Sequence, residues 1–429
     1  MTLDPKPGPD YDPAPYILQG EDVFGRETFE EWTAWRTTRN AFIPAPRLTL
    51  EQYLALAPRR RTLYDLHRTA TNANLPIRET PMSAALSAQL ESRFLTNSLV
   101  RGPATRDGIM VTGGGFQGKT ETVCHIAAWF EEYWLDLLAL AGPTSGTRDL
   151  VMPVAYVHVP VTATPKTTCQ TILEFYGLDL PERTTLQRLL KAVRACIRES
   201  KTKILILDDI TRLKMHRAND QDTLDLIRGL MDMQVTLVLV GVNIRGSGLL
   251  REASYDQRSG QWIIPPRPRD KSYNGEAETQ HGRRFGLVDF DRFLYTTPEE
   301  IEAWVSHLAA IEEQLCLLKA TPGMLTSGDI PEYLYRRTGG IVGVLARFIK
   351  AACVKAIDMG GPRLAQERLT RELLTDTVID LREENRDAES GEYLDLSQFG
   401  VVDTPILKNP GRERSPRRNG SFDDTGAAA

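Results

Sequence analysis

The feature that most constrains the fold of this chain is a glycine-rich segment directly after a short apolar run. The run is Ile109 to Val111, and the segment reads Gly-Gly-Gly-Phe-Gln-Gly-Lys-Thr from Gly113 to Thr120. It satisfies the pattern GxxxxGK[ST], in which backbone N–H groups converge on phosphate oxygens, a lysine reaches the β and γ phosphates and a hydroxyl binds Mg²⁺. Because the pattern works only between a strand and a helix, it predicts a βα unit with a nucleotide at its turn.

We predict that this loop and the first residues of the following helix bind ATP. The predicted ATP-binding residues are Gly113, Gly114, Gly115, Phe116, Gln117, Gly118, Lys119, Thr120 and Glu121. Lys119 is also a predicted catalytic residue, and the Thr120 hydroxyl is a predicted Mg²⁺ ligand. The alternative is a glycine-rich turn that matches by chance, which the flanking strand and helix patterns disfavour. An NKxD segment, the sequence signature of guanine recognition, is absent from the sequence.

Short apolar runs alternate with helical patterns between residues 108 and 290, which predicts an α/β fold with a parallel sheet. The five predicted strands are Ile109 to Val111, Val154 to Val161, Ile204 to Leu207, Val235 to Val240 and Phe285 to Val288. The third and fourth runs are largely apolar rather than alternating, so we expect them at the centre of the sheet, buried on both faces. Helices cover the sheet in this prediction, and a helical lid follows it.

Polar residues next to the predicted strands supply the remaining candidates for chemistry. Asp208 and Asp209 follow the third strand; Asp208 is the second predicted Mg²⁺ ligand, and Asp209 is the predicted catalytic base or water-orienting carboxylate. Asn243, after the fourth strand, could orient water, and Arg284, before the last strand, could reach the nucleotide of a neighbouring subunit. The alternatives are a solvated turn, a turn-forming asparagine and a solvated basic pair.

Changes in composition and in hydrophobic periodicity along the chain predict four regions. An acidic, proline-rich arm spans 1–47, a nucleotide-binding domain with N-terminal helices spans 48–295, a helical lid spans 296–386 and a disordered tail spans 387–429. Thr297, Pro298 and the glutamates after them form a helix-start signal where the lid begins. Predicted lid helices are Glu299 to Leu318, Pro331 to Arg337, Ile341 to Ile357 and Arg368 to Glu384.

Composition excludes several classes of protein. The 429 residues are 41% apolar and 25% charged, an ordinary globular balance, and no apolar run approaches the ~18 residues of a membrane span. The acidic N-terminus does not resemble a secretory signal, and the five cysteines lie far apart, so we expect a cytoplasmic protein, associated with the nucleoid when bound to DNA. The net charge of −5 belongs to the ends, since residues 32–370 carry +6.

The phosphate loop, the aspartate pair, the asparagine, the arginine and the helical lid follow one another in the order found in AAA+ ATPases, which this chain resembles. Four stretches resemble more narrowly the TniB-type ATP-binding proteins of transposons: Val111 to Thr122, Leu205 to Leu213, Asp222 to Leu230 and Thr338 to Gly343. The resemblance implies an ATPase that assembles as a ring or filament on double-stranded target DNA and recruits or activates a DDE transposase. Its implied cofactors are ATP and Mg²⁺.

Two positions depart from the pattern of most AAA+ proteins. Asp209 stands where a glutamate is usual, and its shorter side chain predicts slow hydrolysis, which we expect DNA to stimulate. In the lid, the sequence reads Gly340-Ile-Val-Gly343 where many relatives have a sensor arginine, and Arg347 follows only one turn later. The sequence therefore does not assign the arginine that senses the nucleotide within one subunit.

Base-specific DNA reading is not predicted, because no helix-turn-helix, zinc or RNA-binding motif is present. Three basic segments are the candidates for contact with DNA phosphates: Arg59 to Arg61, Arg212 to Arg217, and Arg258 to Arg284. The individual residues predicted from them are Arg212, Lys214, Arg217, Arg267 and Arg269. Solvated charge is the alternative interpretation. Alternative functions are an IstB-like helicase loader, a STAND-type signalling or defence NTPase, and a monomeric P-loop kinase; the short sequence after the lid disfavours the STAND reading, since a repeat sensor needs at least three repeats.

Overall fold

Five parallel strands form the central sheet of the computed structural model. The structure describes residues 11–18, 25–142, 151–161, 163–181, 183–213, 220–244, 254–256, 261–263, 285–358, 364 and 366–378. The strands are β1 (Gly108–Gly113), β2 (Val154–His158), β3 (Ile204–Asp208), β4 (Thr236–Val242), β5 (Ser254–Asp256), β6 (Gln261–Ile263) and β7 (Phe285–Asp289). The sheet order is β2-β3-β4-β1-β7, so the five predicted strands and their parallel arrangement are confirmed.

Helices surround the sheet and form the region after it. They are α1 (Ala14–Ile17), α2 (Phe29–Thr38), α3 (Leu50–Ala55), α4 (Pro58–Ala73), α5 (Pro81–Leu99), α6 (Lys119–Ala141), α7 (Pro165–Phe175), α8 (Leu186–Glu199), a 3-10 turn at Ile210–Arg212, α9 (Asp220–Met231), α10 (Pro298–Glu312), α11 (Ile330–Thr338), α12 (Val342–Asp358) and α13 (Arg371–Thr375). No helix in these described ranges is long and apolar enough to cross a membrane.

Burial on both faces explains why polar and apolar residues do not alternate in the middle strands β3 and β4. Every residue of β3 is buried, and in β4 only Val242 at its end is exposed, because helices cover both faces. Asp208, at the carboxyl end of β3, is buried with the apolar residues before it. The apolar core therefore extends to the edge at which parallel strands present their functional groups.

Three predictions about individual elements need correction. The last predicted lid helix, Arg368 to Glu384, is the short α13, which begins at Arg371 and ends at Thr375. The five predicted strands include none between Asn243 and Phe285, but the structure has the antiparallel pair β5 and β6 there, with Tyr255 opposite Trp262, residue types that favour strands. Helix α10 ends at Glu312 rather than Leu318, because the chain turns to bond elsewhere: the Cys316 N–H donates to Asn72 Oδ1 at 2.9 Å.

Helix α4 packs on the lid, against α12. Arg68 on α4 forms a buried ion pair with Glu367, and each of the two side chains is only 1% exposed. The second guanidinium nitrogen of Arg68 donates to Glu367 Oε2 at 3.2 Å. Helix α5, by contrast, packs on α6 beside the sheet.

Helix α2 attaches the N-terminal region to the sheet. Thr28 caps the helix in a reciprocal box with Glu31, and Trp32 is fully buried in the core of the sheet. The Trp32 indole donates to Glu131 Oε2 on α6 at 2.5 Å and stacks near Tyr156 at 6.2 Å. Burial raises the pKa of Glu131 to about 7. The Phe29, Trp32 and Trp35 segment therefore forms part of the folded body.

Candidate nucleotide-binding site

The glycine-rich loop closes tightly between β1 and α6. A Cβ at Gly113 would lie 2.2 Å from the Phe290 carbonyl oxygen, so only glycine fits there. Gly118 has φ +93 and Phe116 has φ 56, both in the left-handed region. These conformations bend the chain so that helix α6 begins at Lys119, with its N-terminus directed toward the loop. The geometry is that of a loop which can surround an anion with backbone N–H groups.

Lys119 lies over this loop and is largely buried. Its ammonium group donates to the Gly113 carbonyl at 3.3 Å and also to the Gly114 carbonyl. Burial lowers its pKa, and the charges of Asp208 and Asp209 act in the opposite direction. A phosphate in the loop would give this desolvated cation a charged acceptor, which forms stronger hydrogen bonds than a carbonyl does.

The two predicted Mg²⁺ ligands are in direct contact. Thr120 Oγ1 donates to Asp208 Oδ2 at 2.8 Å, and the Asp209 backbone N–H donates to Asp208 Oδ1 at 2.9 Å. The Tyr156 hydroxyl also donates to Asp208 Oδ2, at 2.9 Å. A hydroxyl and a carboxylate are the hard oxygen donors that Mg²⁺ prefers, and the cation usually takes few protein ligands beside phosphate and water. This oxygen donor set therefore fits Mg²⁺.

Asp209 adopts the left-handed conformation, with φ 55, and its carboxylate is engaged. Asp209 Oδ2 lies 2.8 Å from the Arg212 guanidinium and 3.7 Å from His158 Nε2. Arg212 also donates to the Val159 carbonyl at 2.9 Å and to His158 Nε2 at 2.7 Å. Because arginine only donates, His158 Nε2 is the acceptor in this contact. Arg212, a predicted DNA contact, thus has three local acceptors.

Asn243 lies at the same edge of the sheet. It follows β4 with φ 49, and the residue before it, Val242, is in register with Gly113 of the loop. The next N–H, of Ile244, donates to Thr112 Oγ1 at 2.9 Å, which fixes the turn against the end of β1. Asn243 therefore follows β4 at the edge of the sheet where β1 and β3 also end.

The lid reaches the loop through the N-terminus of α12. The Gly343 N–H donates to the Phe116 carbonyl at 2.8 Å, and a Cβ at Gly343 would lie 2.5 Å from that oxygen. The Arg347 guanidinium lies 4.2 Å from the centre of the Phe116 ring. Sequence reasoning found Arg347 but gave it no role, because only the fold brings α12 against the loop.

Glu121 faces the N-terminal region rather than the loop. Arg26 donates to both of its carboxylate oxygens, at 2.8 and 2.9 Å, and the Arg26 guanidinium stacks 4.1 Å from the Trp35 ring centre. Both hydrogen bonds come from the Nη2 atom of Arg26, so the Glu121 carboxylate pairs with the N-terminal region. The sequence did not predict Arg26 as a site residue, because its partner lies almost a hundred residues away. It did not predict Tyr156 or His158 either, because polar residues of β2 belong to no recognisable motif.

Five predicted site residues lie outside the described residues: Arg284, Lys214, Arg217, Arg267 and Arg269. The predicted arginine contact between subunits and four of the five predicted DNA contacts therefore stay predictions. The predicted tail 387–429 also lies outside the described residues.

Comparison with known proteins matches residues 104–245, about a third of the chain, to the model of an AAA domain (AAA_22). No curated protein matches significantly. Solved structures with a similar fold include the Aeropyrum pernix ORC1 protein in complex with DNA, at 16% identity and a TM-score of 0.48, with 70% of this chain and 65% of that chain covered. The ADP form of the Aeropyrum pernix ORC2 protein matches at 17% and 0.46, covering 72% and 70%.

AMPPCP-bound DnaA from Aquifex aeolicus matches at 11% identity and a TM-score of 0.33, with 69% and 67% covered. This chain spans just under two thirds of the length of the ORC1 chain it matches. Residues 104–245 include the glycine-rich loop, Asp208, Asp209 and Asn243. From the family match over these residues and the order of the sheet, the chain has the fold of an AAA+ P-loop NTPase.

Proposed function

We propose that this protein is an ATP-dependent, DNA-binding regulator of transposition. In this proposal it oligomerises on target DNA in its ATP-bound form and recruits or activates a DDE transposase, and ATP hydrolysis resets the assembly. The resemblance of the loop, the aspartate segment and the Thr338 to Gly343 segment to TniB-type proteins supports the part that concerns transposition. An IstB-like helicase loader is the alternative within the same fold.

The observation that carries the ATPase part is the contact of Thr120 with Asp208 at 2.8 Å beside the buried Lys119. Mg²⁺ bound there would neutralise charge on the β and γ phosphates. Lys119 would hold the phosphates, while Asp209 would accept a proton from the attacking water and Asn243 would orient that water. Arg347 would sense the nucleotide from the lid of the same subunit, and Arg284 from the neighbouring subunit.

Slow hydrolysis follows from the state of Asp209 in this proposal. Its carboxylate is one methylene shorter than glutamate and is paired with Arg212 at 2.8 Å, so it must leave that partner before it can accept a proton. A slow step of this kind suits a switch whose ATP-bound form must outlast its assembly on DNA. DNA that loosened the pair would stimulate hydrolysis.

The test is negative-stain microscopy of the full chain with a non-hydrolysable ATP analogue, with and without duplex DNA. We expect rings or filaments that depend on both ligands, and none with Lys119→Ala, because that variant loses its contact with the phosphates. Arg284→Ala should still bind ATP but lose hydrolysis. Wild-type protein that stays monomeric with both ligands would refute the proposal, and an equal loss of ATP binding in Arg284→Ala would refute the role between subunits.

A further inference from the structure

One short stretch of the chain departs strongly from its overall acidity. Residues 183–203 contain seven lysines and arginines and one glutamate, whereas the whole chain has a net charge of −5. Helix α8 forms most of this stretch and buries Leu189, Val193 and Ile197. Its exposed cations, Arg188, Lys191, Arg194 and Arg198, recur every three or four residues and therefore lie along the opposite side. We call these four residues the α8 basic face.

No member of the α8 basic face has an ion pair or hydrogen bond among the described residues. The arrangement also works against the helix. Arg194 and Arg198 are like charges four residues apart, and Arg188 lies in the first turn, where the helix dipole disfavours a cation. Each effect costs a few tenths of a kcal/mol. A surface serving stability alone would alternate the signs of its charges.

Positive charge continues past the end of α8. Lys201 follows the helix, and Lys203 lines a cleft of about 470 Å³ together with Arg101, Arg106 and Trp134. Burial lowers the pKa of Lys203, as do the charges of Arg106 and Lys201, and no carboxylate contributes to that shift. The electrostatic environment that would favour an anion thus extends from α8 to the start of β3.

We propose that the α8 basic face binds the phosphate backbone of double-stranded DNA, which rests on the proposed function and gives it a contact surface. From Arg188 to Arg198 the helix advances about 15 Å, which is the rise of about four phosphates along one DNA strand. Three of the four cations are arginines, whose planar groups bind phosphate oxygens in pairs. No large apolar side chain of α8 is exposed, so the surface lacks the apolar centre of a protein interface.

The experiment compares two double variants of the full chain. Arg194→Gln/Arg198→Gln removes two charges from the α8 basic face, and Arg78→Gln/Lys350→Gln removes two exposed cations elsewhere. Anisotropy of a fluorescent duplex is measured with Mg²⁺ and an ATP analogue across a series of salt concentrations. The α8 variant should weaken binding at least tenfold at low salt and reduce the slope of log K against log salt by about 2, whereas the control should change neither.

Each outcome bears on a different part of the reasoning. If wild-type protein does not bind duplex DNA, the proposed function fails. If it binds and the α8 variant binds equally well with the same salt slope, the α8 basic face is not the contact while the proposed function stands. Equally tight binding of a labelled polyglutamate, weakened to the same extent in the α8 variant, would assign the surface to an acidic protein and overturn the DNA proposal. ATP binding, which the α8 variant should retain, verifies its fold.

Discussion

Arg212 and the arginines of the α8 basic face carry the same charge in opposite surroundings. Arg212 is held by the Asp209 carboxylate at 2.8 Å, the Val159 carbonyl and His158. Arg194 and Arg198 have no such partners among the described residues and stand beside other cations. Since a cation that has its acceptors gains little from a further anion, the difference separates an arginine that acts within the site from arginines available to a polyanion.

The largest effect should come from removing the partner of Arg212. Asp209→Asn keeps the size of the side chain but cannot accept a proton, so we expect single-turnover ATP hydrolysis to fall about 100-fold while ATP affinity stays the same. Asp209→Glu, with a longer reach toward water, should hydrolyse faster than wild type. A normal rate in Asp209→Asn would mean that the pair with Arg212 is merely structural.

Arg212→Gln should have a smaller effect of the opposite sign. Loss of the ion pair releases the Asp209 carboxylate, whose side chain is 34% exposed, so the pair contributes roughly 1 kcal/mol and hydrolysis should rise about fivefold. The salt slope of DNA binding should not change, because the guanidinium already has local acceptors. Arg194→Gln is the matched control and should show the reverse: unchanged hydrolysis and a smaller slope. A smaller salt slope of DNA binding in Arg212→Gln would mean that Arg212 does contact DNA phosphates.

The smallest effect concerns stability. Arg188→Gln removes a cation from the first turn of α8, where the dipole opposes it, and should raise the free energy of unfolding by about 0.5 kcal/mol. Arg198→Gln removes a cation from the last turn, where the dipole favours it, and should stay within a few tenths of a kcal/mol of wild type. Urea denaturation of the two variants compares them directly. Equal stabilisation would show that position along the helix does not matter.

Local patterns were sufficient to predict the central sheet. Each of its five strands has its own apolar run. The contact of Thr120 with Asp208 was also predictable, because the glycine-rich loop follows β1, Asp208 ends β3, and both strands end at the same edge of the sheet. Features that depend on distant parts of the chain were not predictable. The position of Arg347 over the Phe116 ring depends on how the lid packs. So does the end of α10 at Glu312, since the chain after it bonds to Asn72 of α4. The predicted DNA contacts did not include the α8 basic face, because only the fold shows that its cations share one exposed side and lack partners among the described residues.

The buried pair of Arg68 with Glu367 has a mechanical consequence. Removing either side chain would leave the other as a buried charge without its main partner, at a cost of about 3 to 5 kcal/mol, although Arg68 also pairs with Asp65 and Glu367 also accepts from the Leu318 N–H at 2.8 Å. The pair therefore attaches helix α4 to the lid, although α4 precedes the nucleotide-binding loop by some forty residues. Helix α5 packs on α6 beside the sheet, so the linker at 74–80 connects a helix attached to the lid with a helix attached to the sheet. On the N-terminal side, any change in the angle between lid and sheet must therefore be accommodated by this seven-residue linker.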